Sequence, residues 1–580
     1  MGVVVSNSGK NIVVCSDGTG NSAIKGRGTN VFKLFEAIDL NGHRTDPTLV
    51  PQVALYDDGV GTENFKPIRV FAGATGYGLS RNVKQLYKEL VRIHDPVDRI
   101  FLVGFSRGAF TVRTLAGLIA TCGILNVSRF PTRAALDAAV DRAYGVYRQR
   151  YRTALVRLVR GDPDPAAIER FKRECCHEGP VTIRFIGVWD TVDAVGLPFH
   201  LGDLLNLVIY RFKFPDHYLS PSVERACHAL AIDDERHSFH PLLWKLKDEP
   251  DQQRIEQVWF AGAHSNVGGG YPKQGVSLVA LDWMLHKAEK AGLRVLATDR
   301  RFYLEHANVD DKVYDPRAGV GVFYRWKPRD IAKMCAVNNV KPTLHLSVLE
   351  RIAHGTEDYT PGNLAPDARV VITPTGDSDA DAIAQTRAGA VETVLHAAHS
   401  RIGKSLLSLL PRWIAVGRLS YYVYLATCVA VVLVASAPQG AGAWWHPWAW
   451  LKSAASLLYA VATFQGAELV GTFKRLSTSP ALLGVLAAGF LVSYVLSLLS
   501  DRRMSAVFSQ FWHEQQPKLR TALKAARAAA RSRITGSSPW PTRSGPIQNR
   551  QAVAWVPSRA GWGEWQCPGT NRLDHRDDTD

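Results

Sequence analysis

The sequence has few cysteines and no regular spacing between them, which argues against a disulfide scaffold. Eight cysteines are spread over 580 residues, whereas small domains held by disulfides carry a dense framework. The first ten residues also lack a basic flank followed by an apolar core, so no secretory signal peptide is predicted. We therefore expect the N-terminal part of the chain to work in a reducing, cytosolic environment.

Three classes of binding site also lack their sequence signals. Cys175-Cys176-His177 has no second pair of metal ligands, so we predict neither a structural zinc nor a cofactor. The glycine-rich segment 17–21 is not followed by the Lys-Ser/Thr of a phosphate loop. Basic residues near the C-terminus have no interleaved aromatic residues, so nucleic acid is not an expected partner.

Positive charge is concentrated at one end of the chain. From residue 401 to the end there are 20 Lys and Arg against 8 Asp and Glu, so +12 of the formal +16 lies in the last third. Such an uneven distribution favours contact with an anionic partner, and we expect that partner to be a membrane.

The first 300 residues alternate short runs rich in Val and Ile with helical periods. Each run ends in a polar or glycine-rich turn, as is typical of the carboxyl ends of parallel strands. The predicted strands are Asn11–Cys15, Gln52–Tyr56, Arg99–Gly104, Val181–Val188 and Gln257–Ala261. This pattern predicts an α/β fold with a mostly parallel sheet and helices on both faces.

We assign this fold to a domain over residues 1–395, interrupted by two insertions at about 125–178 and 197–250. The second insertion contains an apolar run at 204–210. That run could cover the substrate as a lid, or it could be an ordinary buried helix.

Two apolar runs without a charged residue follow, at 419–437 and 480–500. Each has about the 20 residues that a helix needs to cross a bilayer. A tryptophan cluster suited to the headgroup boundary lies between them, at Trp444, Trp445, Trp448 and Trp450. Residues 401–510 are therefore predicted to form a membrane-associated helical hairpin, the alternative being two buried helices of a soluble domain.

Basic residues at the outer ends of the two runs indicate the orientation of the hairpin. They are Arg412, Arg418, Arg502 and Arg503. The positive-inside tendency then places the catalytic domain and the tail on the cytosolic side of a bacterial inner membrane. Three basic residues in the connecting loop oppose this orientation, namely Lys452, Lys474 and Arg475.

A basic helix is predicted over 511–534, because Arg520, Lys524, Arg527 and Arg531 recur at helical spacing among alanines. This stripe could hold anionic lipid headgroups, or it could be a solvated charged face. Beyond it, the Ser, Pro and Gly content of 535–580 predicts a disordered tail.

The strongest chemical signal is Gly104-Phe105-Ser106-Arg107-Gly108, between a predicted strand and a predicted helix. A serine at such a sharp turn needs small residues two positions away on either side, since larger side chains would collide with the strand and the helix. This turn exposes the serine hydroxyl above the sheet. Ser106 is therefore the predicted nucleophile of a serine hydrolase of α/β-hydrolase type.

The base and the acid of such an enzyme follow the serine in the order acid, then histidine. Asp190 ends a strand-like run and is the predicted acid, with Asp193 as the reserve candidate. His264 ends another strand-like run and is the predicted base. The rival histidines of the second insertion follow no predicted strand; they are His228, His237 and His240.

Acyl transfer also needs hydrogen-bond donors for the oxyanion. One is expected from the backbone N–H of Arg107, directly after the nucleophile. The second is expected from Gly18 or Thr19, in the glycine-rich turn after the first strand.

Five segments together resemble the signature blocks of a bacterial and fungal α/β-hydrolase-domain family that includes phospholipase effectors of type VI secretion. They are Asp17-Gly18-Thr19-Gly20-Asn21, Gly59-Val60-Gly61-Thr62, Gly104-Phe105-Ser106-Arg107-Gly108-Ala109, Gly187-Val188-Trp189-Asp190-Thr191-Val192 and His264-Ser265-Asn266-Val267-Gly268-Gly269-Gly270-Tyr271. The resemblance covers roughly residues 10–300. It implies a Ser106, Asp190, His264 triad and phospholipid substrates. Asn266 stands where the family usually has an acidic residue.

These observations predict a membrane-anchored serine esterase or lipase that cleaves lipid esters, with phospholipids as the expected substrates. Two alternatives stay open: a secreted antibacterial phospholipase effector, and a non-catalytic membrane scaffold that keeps the hydrolase fold. No segment of the sequence identifies an immunity or secretion partner.

Overall fold

The computed structural model describes residues 9–18, 28–58, 77–149, 164, 166–193, 217–247, 249–317, 327–401, 410–435 and 480–533. Several sequence-based predictions fall outside these residues. They concern the second glycine block at 59–62, the apolar run at 204–210, the tryptophan cluster at 444–450 and the tail at 535–580.

Within the described residues, eight parallel strands form one sheet in the order β2-β1-β3-β4-β5-β6-β7-β8. Their bounds are β1 Asn11–Ser16, β2 Gln52–Asp57, β3 Arg99–Phe105, β4 Ile183–Trp189, β5 Ala226–Ala231, β6 Ile255–Phe260, β7 Thr343–His345 and β8 Arg369–Val371. The predicted α/β fold with a parallel sheet is confirmed.

Helices cover both faces of this sheet. The α-helices in the part of the chain that the structure describes, including those that do not touch the sheet, are α1 Asn30–Ala37, α2 Gly42–Thr45, α3 Tyr77–Ile93, α4 Arg107–Cys122, α5 Arg133–Gln149, α6 Ala167–Cys175, α7 Glu249–Arg254, α8 His264–Gly268, α9 Gly275–Lys290, α10 Ala297–His306, α11 Ile331–Val337, α12 Leu346–His354, α13 Ser378–Arg401, α14 Leu410–Ala435 and α15 Pro480–Arg533. Alternate residues of one strand enter opposite layers: Ile12 and Val14 of β1 pack with α3, α4 and α5, whereas Val13 and Cys15 pack with α1 and α9. The strands read as continuous apolar runs because both faces are buried.

The strand order reverses direction between β1 and β3. β1 pairs with β2 on one side and β3 on the other, and from β3 onward the strands follow one another to the far edge. In open parallel sheets, the loops at such a switch point diverge and leave a crevice at the carboxyl ends of the strands. The loop after β1 and the turn after β3 both lie there.

The segment predicted as an insertion at 197–250 contains a strand of the central sheet. β5, Ala-Cys-His-Ala-Leu-Ala, is fully buried between β4 and β6. Its three alanines have low strand propensity and the six-residue run carries no β-branched residue, so its own composition does not indicate a strand. β7 and β8 were also not predicted, because a three-residue strand has no measurable period.

Residues beyond 330 extend the sheet and add a third apolar cluster. Leu344, Ile352 and Val370 are buried there, together with Leu395 of α13. The last part of α15 packs against this cluster through Trp512, whose indole N–H donates to the carbonyl of Pro361 at 2.7 Å. The second predicted apolar run and most of the predicted basic helix thus belong to one continuous helix, α15.

Candidate active site

Ser106 occupies a strained turn between β3 and α4. Its backbone has φ 58° and ψ −122°, a region that residues with a Cβ rarely adopt. A Cβ on Gly104 would lie 2.7 Å from the carbonyl oxygen of Gly108, and one on Gly108 would overlap the carbonyl oxygens of Ser16 and Asp17. Both glycines are therefore needed for the close approach of strand, turn and helix.

Three polar side chains from distant parts of the sequence form a hydrogen-bonded chain at this turn. His264 Nε2 lies 2.8 Å from Ser106 Oγ, and His264 Nδ1 lies 2.6 Å from Asp190 Oδ2. All three residues are largely buried, with Ser106 7% exposed. The distances fit a serine, a general base and an orienting carboxylate.

Asp190 lies in the turn after β4, with φ 36°. Its backbone N–H donates to Ala229 at 2.8 Å, and its Oδ1 accepts from the backbone N–H of Ala231 at 3.0 Å, so β5 fixes the turn. The guanidinium of Arg329 reaches both carboxylate oxygens, Nη1 to Oδ1 and Nη2 to Oδ2, each at 2.8 Å. This carboxylate is therefore held by β5, by Arg329 and by His264.

The charge on Asp190 is stabilised at a fully buried position. Burial alone raises the pKa of a carboxyl group, but the Arg329 guanidinium and the hydrogen bond from His264 hold the pKa of Asp190 well below its usual range. Asp190 is therefore ionised at neutral pH and accepts a hydrogen bond from His264 Nδ1–H. In a neutral imidazole that donates through Nδ1, Nε2 is the acceptor, and here Nε2 faces Ser106.

The imidazole of His264 lies between two phenyl rings. The ring centroid of Phe105 is 4.6 Å away and that of Phe239 is 5.0 Å away, the latter in an edge-to-face arrangement. A side chain at position 268 would overlap the Phe105 ring, so Gly268 makes room for it. The backbone N–H of His264 donates to Asp234 Oδ2 at 3.3 Å, which ties the loop after β6 to the loop after β5.

The two loops predicted to bind an oxyanion lie beside this turn. Arg107 is the first residue of α4, and the first backbone N–H groups of a helix are not used by its own carbonyls. In the loop after β1, the N–H of Gly18 donates to Asp17 Oδ1 at 2.6 Å, and Thr19 lies outside the described residues. The Gly18/Thr19 assignment therefore remains a prediction, as does that of Arg107.

Asp17 organises the loop after β1. Its carboxylate accepts hydrogen bonds from the hydroxyls of Thr29 and Tyr56, at 2.5 and 2.7 Å, besides the one from Gly18. Burial raises the pKa of Asp17 to about 6, although these hydrogen bonds lower it. The described residues at the two ends of this loop, Asp17-Gly18 and Thr29, are thus joined by a buried carboxyl group close to the turn that carries Ser106.

The rival candidates occupy other positions. His228 lies on β5, contrary to its predicted place in an insertion, and its Nε2 accepts the backbone N–H of Thr191 at 3.1 Å. His240 Nε2 lies 2.7 Å from the carbonyl oxygen of Lys327, and the His237 ring lies beside that of His240. The carboxylate bonded to His264 is that of Asp190, three residues before the reserve candidate Asp193.

Asn266, at the position where the resemblance implied an acidic residue, forms hydrogen bonds with backbone groups. Its Oδ1 accepts from the backbone N–H groups of Ala263 and Tyr314, both at 3.2 Å, and its Nδ2 donates to the backbone carbonyl of Lys312 at 3.3 Å. The amide thus supplies a donor that a carboxylate could not. Among the residues for which the structure gives positions, no group of three or more His, Cys, Asp or Glu side chains could hold a metal ion.

Arg329 is a contact of the site that the sequence did not predict. It lies in Lys327-Pro328-Arg329-Asp330, just before α11, and no motif marks it. Asp234 was also missed, because β5, which precedes it, was not predicted. Only the approach of these segments in three dimensions shows their connection to Asp190 and His264.

Residues 10–287 match the sequence model of the family described as T6SS, phospholipase effector Tle1-like, catalytic domain. The predicted family resemblance is confirmed over this range. A Saccharomyces cerevisiae protein named Uncharacterized protein YEL023C is 29% identical over 251 residues, which are 41% of this chain and 33% of that protein. The chain thus spans about a third of the length of the yeast relative.

A solved structure described as the Tle1 effector bound to the VgrG spike from the type 6 secretion system is also similar. The match has 18% sequence identity and a TM-score of 0.25, and it covers 46% of this chain and 51% of the effector chain.

Gly108→Ala is expected to distort the nucleophile turn, because the new Cβ would meet the backbone carbonyls of Ser16 and Asp17. Backbone atoms in a packed sheet cannot give way cheaply, so we expect a loss of about 1–3 kcal/mol in unfolding free energy and a large loss of Ser106 reactivity. Thermal unfolding and labelling by a fluorophosphonate probe measure the two effects.

Gly145→Ala is the matched control, since a Cβ at this exposed helical position meets nothing within 4 Å. It is expected to be neutral or to stabilise by about 0.5–1 kcal/mol. Equal behaviour of the two variants would contradict the steric account of Gly108.

Proposed function

We propose that the chain is a serine hydrolase that cleaves carboxylic ester bonds of phospholipids. The observation that carries this proposal is the continuous hydrogen-bonded chain from Ser106 through His264 to Asp190, at the strained turn between β3 and α4. The match of residues 10–287 to a phospholipase catalytic-domain family supports the choice of substrate.

In the acylation step, Ser106 Oγ attacks the ester carbonyl while His264 Nε2 takes the hydroxyl proton. The new imidazolium is stabilised by Asp190, and the oxyanion forms next to the first turn of α4, where the Arg107 N–H lies. When the tetrahedral intermediate collapses, the ester C–O bond breaks, and His264 returns the proton to the leaving alcohol oxygen.

In the deacylation step, water takes the place of the leaving alcohol. His264 Nε2 removes a proton from the water as it attacks the acyl carbonyl, and the same proton returns to Ser106 Oγ when the acyl–serine bond breaks. A fatty acid leaves and the serine is regenerated. Asp190 stays ionised throughout both steps.

We further propose that α14 and the first part of α15 associate with a membrane. Each of the two helices contains an 18-residue stretch apolar enough to cross one, within Pro411–Val431 and within Leu483–Ala526. Those stretches are only 22% and 17% buried, whereas the core helix of a soluble protein would be mostly buried. Large apolar side chains on α15 are exposed, with Val485 at 68% and Leu491 at 62%, and a bilayer is the solvent that suits such a surface.

The two helices contact each other through small and hydroxyl-bearing residues. Ser493 Oγ donates to the carbonyl of Ser420 and Ser500 Oγ donates to that of Trp413, both at 2.8 Å. A Cβ on Gly489 would overlap the Thr427 hydroxyl, so the backbones approach closely there. Small residues and interhelical hydrogen bonds are the typical contacts of helices in lipid.

The rest of α15 attaches this helix pair to the hydrolase. Arg317 lies between Asp501 of α15, at 3.2 Å, and Glu235 of the loop after β5, at 3.4 Å. Further along, Arg520 donates to the carbonyl of Ala353 at the end of α12. One residue of the predicted basic stripe thus binds the end of a helix, and the side chains of Arg527 and Arg531 lie outside the described residues.

Ser106→Ala is expected to lower fatty-acid release from phosphatidylethanolamine/phosphatidylglycerol vesicles by a factor of about 10⁴ or more, because no other group replaces the nucleophile. Ser80→Ala, whose hydroxyl contacts Tyr144 at 3.0 Å, is the control and should keep the wild-type rate. Equal rates for Ser106→Ala and wild type would remove the proposed nucleophile.

Leu491→Asp is expected to weaken binding to the same vesicles, because a carboxylate in the middle of an apolar membrane helix costs about 2.5–3.5 kcal/mol. Co-flotation with vesicles measures binding, and fluorophosphonate labelling of Ser106 should stay at the wild-type rate. Leu304→Asp, at a 47% exposed position on α10, is the matched control. Unchanged flotation of Leu491→Asp would contradict membrane association through α15.

A second candidate is an antibacterial effector that applies the same chemistry to the lipids of a neighbouring cell. The match of residues 10–287 to an effector catalytic domain favours it. We expect an effector to poison cells only when it is directed to their periplasm, and to do so only with Ser106 intact. Growth that is unaffected by periplasmic expression would argue against this candidate.

A further inference from the structure

We infer that Arg329 is a positioning residue of the catalytic triad, and that the functional hydrolase unit therefore extends past residue 287 to this arginine. The inference rests on the proposed role of Ser106, Asp190 and His264. Its basis is the two-pronged contact between the Arg329 guanidinium and both oxygens of Asp190, each at 2.8 Å.

The surroundings of Arg329 fix its position. The residue is 1% exposed, and α11 begins two positions later with Ile331, which is fully buried in the third apolar cluster. The guanidinium also donates to the carbonyl of Ala231 at the end of β5 and to that of Phe239. Because the Phe239 ring contacts His264, Arg329 holds the acid and one wall of the imidazole site together.

Arg329 also determines the local charge. With His264 neutral, the guanidinium offsets the Asp190 carboxylate, and a proton added to the Asp190–His264 pair brings a second positive charge next to that of Arg329. Without Arg329 the added proton meets the Asp190 carboxylate and no neighbouring guanidinium. Like charges repel, so the arginine makes protonation of the pair harder.

The direction of this effect does not depend on the other ionisable groups near the pair. Asp190 is faced by His264, Arg329 and His228, and Arg329 is faced in addition by Asp233, Asp234 and His240. Burial lowers the pKa of His228 to about 3 and that of His240 to about 4, so both are neutral when the enzyme is assayed. Burial raises the pKa of Asp234, but the hydrogen bond from Arg236 and the charge of Arg329 hold that pKa below its usual range, so Asp234 is ionised in the assay. Burial raises the pKa of Asp233 to about 6, within the assayed pH range, so Asp233 needs its own control.

In the wild type, the pKa of Asp190 lies below its usual range. The negative charge of Asp190 is therefore present at neutral pH and is lost only as the pH falls through that lowered pKa. In Arg329→Gln, the pair binds its proton at higher pH. We expect the acid limb of kcat/KM for a short-chain soluble ester to move up by about one to three pH units. At neutral pH we expect kcat/KM to fall by about tenfold or more.

The test measures kcat/KM and the rate of fluorophosphonate labelling of Ser106 from pH 5 to 9, on the full-length chain in detergent. Arg351→Gln is the matched control, because Arg351 is also fully buried and its hydrogen bonds go to Val309, Asp311 and Glu357. It should lose stability without moving the acid limb. Asp233→Asn combined with Arg329→Gln should keep the shifted limb.

The outcomes separate this inference from the proposed function. Wild-type labelling of a residue other than Ser106 would overturn both. Labelling of Ser106 together with an acid limb that coincides in wild type and Arg329→Gln, or that moves equally in Arg351→Gln, overturns the role of Arg329 alone.

If Arg329→Gln yields no folded protein, Arg329→Lys decides the question. Lysine keeps the positive charge but has no planar fork, so we expect the acid limb to stay in place while kcat falls by about threefold or more. A kcat and an acid limb both equal to those of the wild type would overturn the inference.

Discussion

The carboxylate of Asp190 is a full negative charge with no exposure to solvent, and the site is built around satisfying it. An unpaired charge at such depth costs several kcal/mol even after the protein relaxes. Here its partners are His264, the backbone N–H of Ala231 and the guanidinium of Arg329. They come from α8, β5 and the segment before α11, so the charge is satisfied only when these parts of the chain have all reached their places.

A second constraint is the close backbone contact at the nucleophile turn. β1 and β3 are neighbours at the point where the strand order reverses, so the residues at the end of β1, Ser16 and Asp17, lie beside the turn that carries Ser106. Gly108 allows α4 to begin directly against the carbonyls of Ser16 and Asp17. This contact brings the start of the glycine-rich segment, Asp17, next to the serine turn although the two are far apart in the sequence.

The two constraints also explain what could be predicted from the sequence. It could be predicted that Ser106, Asp190 and His264 each follow a strand, because a buried strand ends in a change from apolar to polar or glycine residues that is visible in the sequence. The alanine-rich β5 could not, since its burial depends on neighbours on both sides rather than on its own residues. The role of Arg329 could not be predicted for the same reason: its partner Asp190 is 139 residues away, and nothing in the segment around Arg329 indicates a contact with a carboxylate.

Contacts between distant parts of the chain also connect the loops after β5 and β6 to the apolar helices. Asp234 accepts the backbone N–H of His264, and the next residue, Glu235, shares Arg317 with Asp501 of α15. Residue 501 directly follows the apolar part of α15, which at 1.5 Å per residue is about 30 Å long. If that apolar part lies in a bilayer, the contact between Asp501 and Arg317 lies at the bilayer surface, because a continuous helix keeps a fixed length between its apolar part and residue 501. The loop after β5 would then have two roles, since it contacts the backbone of His264 and would set the distance of that residue from the lipid.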